Sequence, residues 1–333
     1  MKIDKLSTSF SAYRWLGMVL SLAFLAVFIS NNVLAQSSDT ASGLRLAPLR
    51  SELIIEPGKS DTVSVKLKNV SGGAVIINSV VVDFKSNEDG SPSALPQSDE
   101  QLPTSIRSYL TPTDGVELAA DAEYDYKLPL EVPQDTSPGA YYGLVLFQAV
   151  PVDQEEGGVG KVALTASIGH VVLLEVPGDV IEQLQVLSVK AARQTQPDAA
   201  KAPIVRPGSL FSSAPNQVQI DVKNTGNSFL KPFGNVSISD WRGNLVSTAE
   251  INTGDPKGNV LPDANRVFVV PVTEVKGIGR FTILTNIGYG NGNEVVTVKS
   301  TFWVLPLWFV ALVATLVALL IFGILRLVKK IRR

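Results

Sequence analysis

From Phe302 to Leu325 the chain reads FWVLPLWFVALVATLVALLIFGIL, 24 residues without a charge. A helix of that length covers the roughly 30 Å of hydrocarbon in a bilayer. The run predicts a transmembrane helix over 302–325, with Pro306 in its first turns, where missing intrahelical hydrogen bonds cost least. Trp303 and Trp308 fall where an aromatic belt meets the outer headgroups. Arg326, Lys329, Lys330, Arg332 and Arg333 follow at once, against Lys299 alone on the near outer side. Residues 326–333 are therefore read as a basic cytoplasmic tail, and everything before the span as outside. TVKSTF precedes the span where a sortase substrate would carry an LPxTG-type sequence, so the helix is read as a permanent anchor.

At the other end, Lys2, Lys5 and Arg14 precede an apolar run from Trp15 to Ile29, and Val33-Leu34-Ala35 places small or aliphatic residues at a cleavage point. Residues 1–35 read as a secretory signal peptide. A retained N-terminal anchor is the alternative, with an apolar run short for a bilayer. The chain has no Cys. Lipid anchoring through a cleavage-site Cys is excluded, and an exported chain without disulfides must rely on its cores, which favours a bacterial or archaeal envelope.

The stretch between, 36–301, is long enough for two ordinary domains. Three of the 29 basic residues lie before it and five after it, while of the 31 acidic residues only Asp4 lies outside, so its charge is −9. Nucleic acid and polyanionic wall polymers are poor electrostatic partners for such a surface.

Within 36–301, short alternating apolar runs are broken by Gly, Pro, Asn and Asp, with hardly any helical period, which is the pattern of an all-β sandwich. DTVSVKLKN puts Val63, Val65 and Leu67 on one face, and ALTASIGHVVL puts Leu164, Ala166, Ile168 and Val172 on one face. YYGLVLFQAV is apolar on both faces, as a central strand would be. KLKNVSGGAVIINSVVVDFKSNED (66–89) is echoed by DVKNTGNSFLKPFGNVSISDWRGN (221–244). Asn69 and Asn224 each end a strand, Asp83-Phe84 and Asp240-Trp241 each end the next, and Gly139-Ala140-Tyr141 matches Gly279-Arg280-Phe281. Three anchors in one order predict two copies of one fold: domains at 36–178 and 179–301, with 192–208 a loop inside the second. The first copy is longer, mainly through the polar stretch 86–104, read as a binding loop or a flexible insertion.

Candidate chemistry is sparse. The sole His, His170, shares strand parity with core residues and reads as a hydrogen-bonded core or rim His; no G-x-S-x-G elbow supports a Ser-His-Asp site. Asn87-Glu88-Asp89-Gly90 lacks the spacing of a calcium loop and reads first as a turn. Tyr141-Tyr142 suggests either an aromatic platform or, for Tyr141, a corner hydroxyl bonded back to the chain as in Ig-like sandwiches. Trp241 has the parity of polar residues, which a bulge or an exposed binding aromatic would explain. No catalytic, cofactor or metal residues are assigned. The candidate binding surface comprises Asp83, Phe84, Asn87, Asp89, Tyr141, Tyr142, Trp241 and Arg242.

LRLAPLRSELIIEPGKSDTVSVKLKNVSGGAVIINSVVVDFKSNEDG together with VELAADAEYDYKLPLEVPQDTSPGAYYGLVLFQA resembles the N-terminal domain of the bacterial WxL-interacting surface proteins, through the Pro57-Gly58 turn, Asn69, and Pro133 to Gly143. The resemblance covers 44–149 in motif detail and the whole layout. It implies two tandem Ig-like β-sandwich domains, the first associated with peptidoglycan and the second with a surface protein partner. A likeness to pilus chaperones, also tandem Ig-like and Cys-poor, conflicts with the anchor, because those chaperones are soluble. The expectation is a non-enzymatic single-pass plasma-membrane protein, its ectodomain extracellular or periplasmic, with no cofactor and no evident small-molecule substrate. A wall-polymer hydrolase, a passive stalk and an accessory subunit of a membrane complex are the alternatives.

Overall fold

In SDTVSVKLKN the alternate residues Val63, Val65 and Leu67 are buried, the period of two that a strand with one wet face requires. That strand, β3 (Ser60–Asn69), lies between β1 (Leu44–Ala47) and β8 (Glu123–Glu131) in an antiparallel sheet. Facing it is a five-stranded sheet in the order β2 (Arg50–Ile54), β10 (Ala166–Val176), β9 (Gly139–Pro151), β4 (Val75–Val82) and β7 (Val116–Leu118). Only the β2–β10 pair in it is parallel. Leu67, Ile77, Leu128, Phe147 and Leu174 fill the core between these sheets. The computed structural model describes residues 43–96, 100–152, 166–196, 203–273, 275–291 and 294–331. The signal-peptide reading of 1–35 and the placement of Leu164 lie outside them.

A second pair of sheets follows. One has the order β12 (Ile204–Gly208), β11 (Leu184–Thr195), β14 (Gln217–Asn224), β17 (Asn265–Pro271). The other runs β13 (Leu210–Phe211), β19 (Glu294–Val304), β18 (Gly279–Tyr289), β15 (Phe233–Ser239), β16 (Leu245–Ile251). Their shared core holds Ile220, Leu230, Val236, Phe281 and Phe302 and is separate from the first. The chain is thus an all-β sandwich architecture followed by one helix, α1 (Leu307–Ile331), long and apolar enough to cross a membrane.

The two-sided apolarity of YYGLVLFQAV has a physical reason. Val145, Phe147 and Ala149 of β9 face the first core, while Tyr142, Leu144 and Leu146 face outward into a third apolar cluster. That cluster is completed by Val82, Phe84 and Leu173 from the first sandwich and by Phe229, Leu261 and Ala264 from the second.

Several sequence readings are corrected. The helix begins at Leu307, not Phe302: Phe302 and Val304 are core residues of β19, and Trp303 belongs to that strand rather than to a helical belt. The helix also runs on through Arg326, Lys329 and Lys330, whereas Arg332 and Arg333 lie outside the described residues. Stretch 192–208 is largely the β11–β12 hairpin, pairing Ala192 with Pro207 and Thr195 with Ile204. Pro207 is tolerated there because β12 is an edge strand. Stretch 86–104 contains a small hairpin, β5 (Phe84–Ser86) with β6 (Pro92–Ala94). Finally, Asp83 and Phe84, expected at the surface, are buried.

Candidate functional site

The two similar turns that follow Asn69 and Asn224 hold the backbone in the same way and then differ in length. Asn69 is fully buried; its Nδ2 reaches the carbonyls of Gly73, Leu118 and Ala119, and its Oδ1 accepts from the Ser71 amide and hydroxyl. Asn224 does the same work, donating to the Ser228 and Val260 carbonyls and accepting from the Gly226 amide. Each Asn thus supplies partners for backbone groups where a strand leaves its sheet. After Asn69 the next strand starts six residues on, at Val75; after Asn224 it starts nine on, at Phe233. The longer turn forms a joint with the first sandwich.

Asn227 is its centre. Its amide donates to the Ile181 carbonyl at 3.0 Å, its Oδ1 accepts from the Ile181 amide at 2.7 Å, and its carbonyl accepts from the Ala140 amide at 2.8 Å. Thr225 donates to the Gln183 carbonyl beside it. Glu52 on β2 forms a second tie. Its Oε1 lies 2.8 Å from Arg50 and 3.1 Å from the Asn259 amide, and its Oε2 pairs with Lys231 of the longer turn. Together with Phe229 and Leu173, Glu52 and Lys231 line a cavity of about 350 Å³.

Burial opposes ionisation of Glu52, but the hydrogen bond from Lys231 and the charges of Arg50 and Lys231 outweigh it and hold the carboxyl below its ordinary value of 4.5. A lowered folded-state pKa stabilises the joint fully above the unfolded value and is lost as pH falls through the folded one. With 31% of the side chain exposed, solvent screens the effect. Amide exchange at Ile181 and Asn227 is expected to quicken as pH drops below 4.5, after correction for the intrinsic rate, and to lose this dependence in Glu52→Gln. An identical pH profile in the variant would show that Glu52 does not hold the joint.

On another flank of the joint lies a groove of about 600 Å³, in which Phe84, Tyr142, Lys85 and Glu88 meet Lys223 and Asp263. The hairpin that overhangs it is docked, because the Glu88 carbonyl accepts from the Val267 amide at 2.7 Å. Gly90, at φ 85°, lets the Arg266 guanidinium lie where a Cβ would stand. Asn87 and Asp89 build this turn: the Gly90 amide donates to the Asn87 carbonyl, and Asp89 Oδ1 accepts from the Ser91 amide and hydroxyl. Thr104 accepts from the Tyr142 amide, and Ile106 is buried beneath Gly143. The extra length of the first sandwich is thereby pinned at one described end to β17 of the second and at the other to β9.

Of the eight candidate surface residues, the groove gathers Phe84 and Tyr142, with Asn87 and Asp89 in the overhanging turn. Asp83 lies buried behind them, 3.6 Å from Arg107. Tyr141 instead donates to the Ser137 carbonyl at 2.9 Å, the corner bond expected from its position. Trp241 and Arg242 lie elsewhere, on the β15–β16 turn, with the Arg242 guanidinium 4.6 Å from the indole centre. A register shift between Ile238 and Ser239 and the end of β15 account for the odd parity of Trp241. His170 is fully buried and takes part in no site: its Nδ1 meets the Pro48 carbonyl at 2.9 Å, and burial pushes its pKa below 6.5. Among the described residues no cluster of three His, Asp or Glu suits a metal ion.

No family model matches the chain, and no curated protein matches it. Solved structures do. A chaperone–tip adhesin complex of CFA/I fimbriae biogenesis is similar at 15% identity, covering 77% of this chain and 98% of that one, with a TM-score of 0.35. The Salmonella enterica SafA pilin–SafB chaperone complex gives 14% identity, 77% and 95% coverage and a TM-score of 0.33. The E. coli chaperone DraB gives 11% identity, 79% and 97% coverage and a TM-score of 0.33.

Proposed function

We propose that the chain is a non-enzymatic, single-pass envelope protein whose two sandwiches are tandem Ig-like domains that bind cell-wall peptidoglycan, with a surface protein as a further partner. In this reading the N-terminal segment exports it, α1 anchors it in the plasma membrane, and the basic tail stays cytoplasmic. The observation that carries the binding assignment is the groove at the joint, where side chains from both sandwiches meet over the aromatic rings of Phe84 and Tyr142. Aromatic faces suit sugar rings, and the adjoining Lys85, Lys223, Glu88 and Asp263 suit the carboxylates and amines of a wall glycopeptide. The acidic surface as a whole disfavours polyanionic wall polymers.

The non-enzymatic reading draws support from the carboxylates of the neighbouring cavity. A glycoside hydrolase pairs a protonated acid with an ionised partner. Here Glu52 is tied to Lys231, Arg50 and Asn259, Glu175 accepts from Ser228, and Glu182 accepts from the Asn291 amide. The test is sedimentation of the detergent-solubilised full chain with purified sacculi. Parent protein is expected in the pellet, and Lys85→Glu/Lys223→Glu is expected to bind about tenfold more weakly, as for the loss of one or two charge-assisted contacts. Parent protein that stays in the supernatant, or released wall fragments, would overturn the proposal.

A further inference from the structure

The junction between β19 and α1 leaves almost no linker. Trp303 donates its amide to the Ser209 carbonyl and Leu305 donates to the Phe211 carbonyl, both at 2.8 Å. Strand pairing therefore persists to Leu305, and Pro306 alone separates it from the first helical residue. With Phe302 to Val304 held in the sandwich, the charge-free part of the helix is Leu307–Leu325, 19 residues. At 1.5 Å per residue these cover about 28 Å, against roughly 30 Å of hydrocarbon. The span has no residues to spare, so Leu307 must sit at the hydrocarbon boundary. One or two extended residues reach only about 3 Å each, which places the adjoining end of the sandwich in the headgroup layer.

That end can be identified from the strand registers. Gly279 pairs with Val304 and Arg280 with Trp303, while Leu210 pairs with Trp303 from the other side. Ser239 pairs with Thr282 and with Leu245, so the β15–β16 turn overhangs the same end. A Cβ on Gly279 would come within 3.8 Å of the Trp241 ring. Here Trp241 is 64% exposed, Leu245 63% and Leu210 65%, and the Arg242 guanidinium rests on the indole. The one carboxylate of the turn, Asp240, is taken up by the turn's own donors: Oδ1 accepts from the Arg242 and Asn244 amides and Oδ2 from the Asn244 side chain, which fixes the turn. The opposite end of the same sheet carries Glu294, Gly290 and Asn291 instead.

We propose that this end is a membrane-docking surface, with the Trp241 indole seated in the interfacial layer and the Arg242 guanidinium on phospholipid phosphate of the bilayer that α1 crosses. Exposed indole beside a basic group is the composition of membrane interfaces, and the occupant follows from continuity with the anchor. The docked turn holds the second sandwich at a fixed tilt, so the groove of the joint stands at a set height above the bilayer. The proposal rests on α1 as a membrane span, and its test separates the two.

Because the chain has no Cys, single cysteines accept a fluorescent label uniquely. The full chain is reconstituted in phosphatidylethanolamine–phosphatidylglycerol vesicles with nitroxide lipids, quenching either at the headgroup or deep in the acyl region. A label at Leu245→Cys is expected to lose about half its emission to the headgroup quencher, as interfacial groups do. One at Val295→Cys, on the far end of β19, is expected to lose none. One at Leu316→Cys, mid-helix, reports the deep quencher. Adding Trp241→Ala/Arg242→Ala is expected to cut the Leu245 quenching about fivefold, and phosphatidylcholine vesicles should weaken it in the parent. A Leu245 label that behaves like the Val295 label, or one indifferent to the Trp241/Arg242 change, overturns docking while leaving the anchor intact. Absence of deep quenching at Leu316 overturns both. Should the Leu245→Cys variant fail to fold, the emission of Trp241 itself, isolated by Trp15→Phe, Trp303→Phe and Trp308→Phe, answers the same question.

Discussion

Asn69→Ala is expected to cost the first sandwich about 3 kcal/mol, and Asn224→Ala about as much in the second, because each buried polar group left without a partner costs roughly 1–3 kcal/mol. The Asn69 side chain reaches three carbonyls and two donors at a site with no exposure. Alanine leaves the Ser71 amide without its side-chain acceptor and removes a side-chain donor from the Leu118 and Ala119 carbonyls, the second of which keeps the Ala122 amide. Against a total folding stability on the order of 5–15 kcal/mol, this is a large share. For a sandwich of this size it corresponds to a fall in Tm of about 10 °C. Ser71→Ala removes one hydroxyl at the edge of the same network, which reaches Asn69 Oδ1 and the Gly73 carbonyl, and is expected to cost less than about 1 kcal/mol. Thermal unfolding of the detergent-solubilised chain, followed by circular dichroism, compares the three. If Asn69→Ala melts with the parent, the repeated Asn is a turn former and nothing more.

The repeated Asn was visible in the sequence because the turn it organises is local, through Ser71 and Gly73 after Asn69 and through Gly226 and Ser228 after Asn224; the joint was not, because its partners come from distant stretches. Glu52 and Lys231 lie 179 positions apart, and nothing in the local pattern of either ties them together. The available signal was the extra length of the second turn after Asn224, together with the two-sided apolarity of β9, which called for a cover beyond its own sandwich. The start of the helix was misplaced for a different reason. Hydropathy does not distinguish lipid from a protein core, so Phe302 and Val304 merged with the span. The alternation of Val296, Val298, Ser300, Phe302 and Val304 inward with Thr297, Lys299, Thr301 and Trp303 outward runs unbroken to residue 304, and Pro306 follows. That period of two, rather than the absence of charge, marks where the strand ends. Buried Phe84 defeated the surface reading because its polar neighbours Lys85 to Asp89 form the solvent face of a docked hairpin.

Gly226→Ala is expected to open the joint while leaving both sandwich cores folded. A Cβ at Gly226 would stand 2.0 Å from the Ile181 carbonyl oxygen and 2.9 Å from the Gln183 nitrogen. Both are backbone atoms of the segment connecting the sandwiches, so no side chain can swing aside. The connecting segment has to shift, and with it go the bonds from Thr225 to Gln183, from Asn227 to Ile181, and from Ile181 back to Asn227 Oδ1. At about 1 kcal/mol each these sum to about 3 kcal/mol, which raises the open population of the joint about a hundredfold. The two cores share no residue with each other, so the main thermal transition is expected near that of the parent. Hydrogen exchange supplies the readout: the amides of Thr225, Asn227 and Ala140 should exchange about a hundredfold faster, with those of β3 and β14 unchanged. The same variant should lose sacculus binding in proportion, since the groove draws Phe84 and Tyr142 from one sandwich and Lys223 and Asp263 from the other. Fast exchange with undiminished sacculus binding would place the wall contact on a single sandwich and remove the groove from the proposed function. Parent-like exchange would mean that the joint accommodates the methyl group and is softer than its backbone contacts indicate.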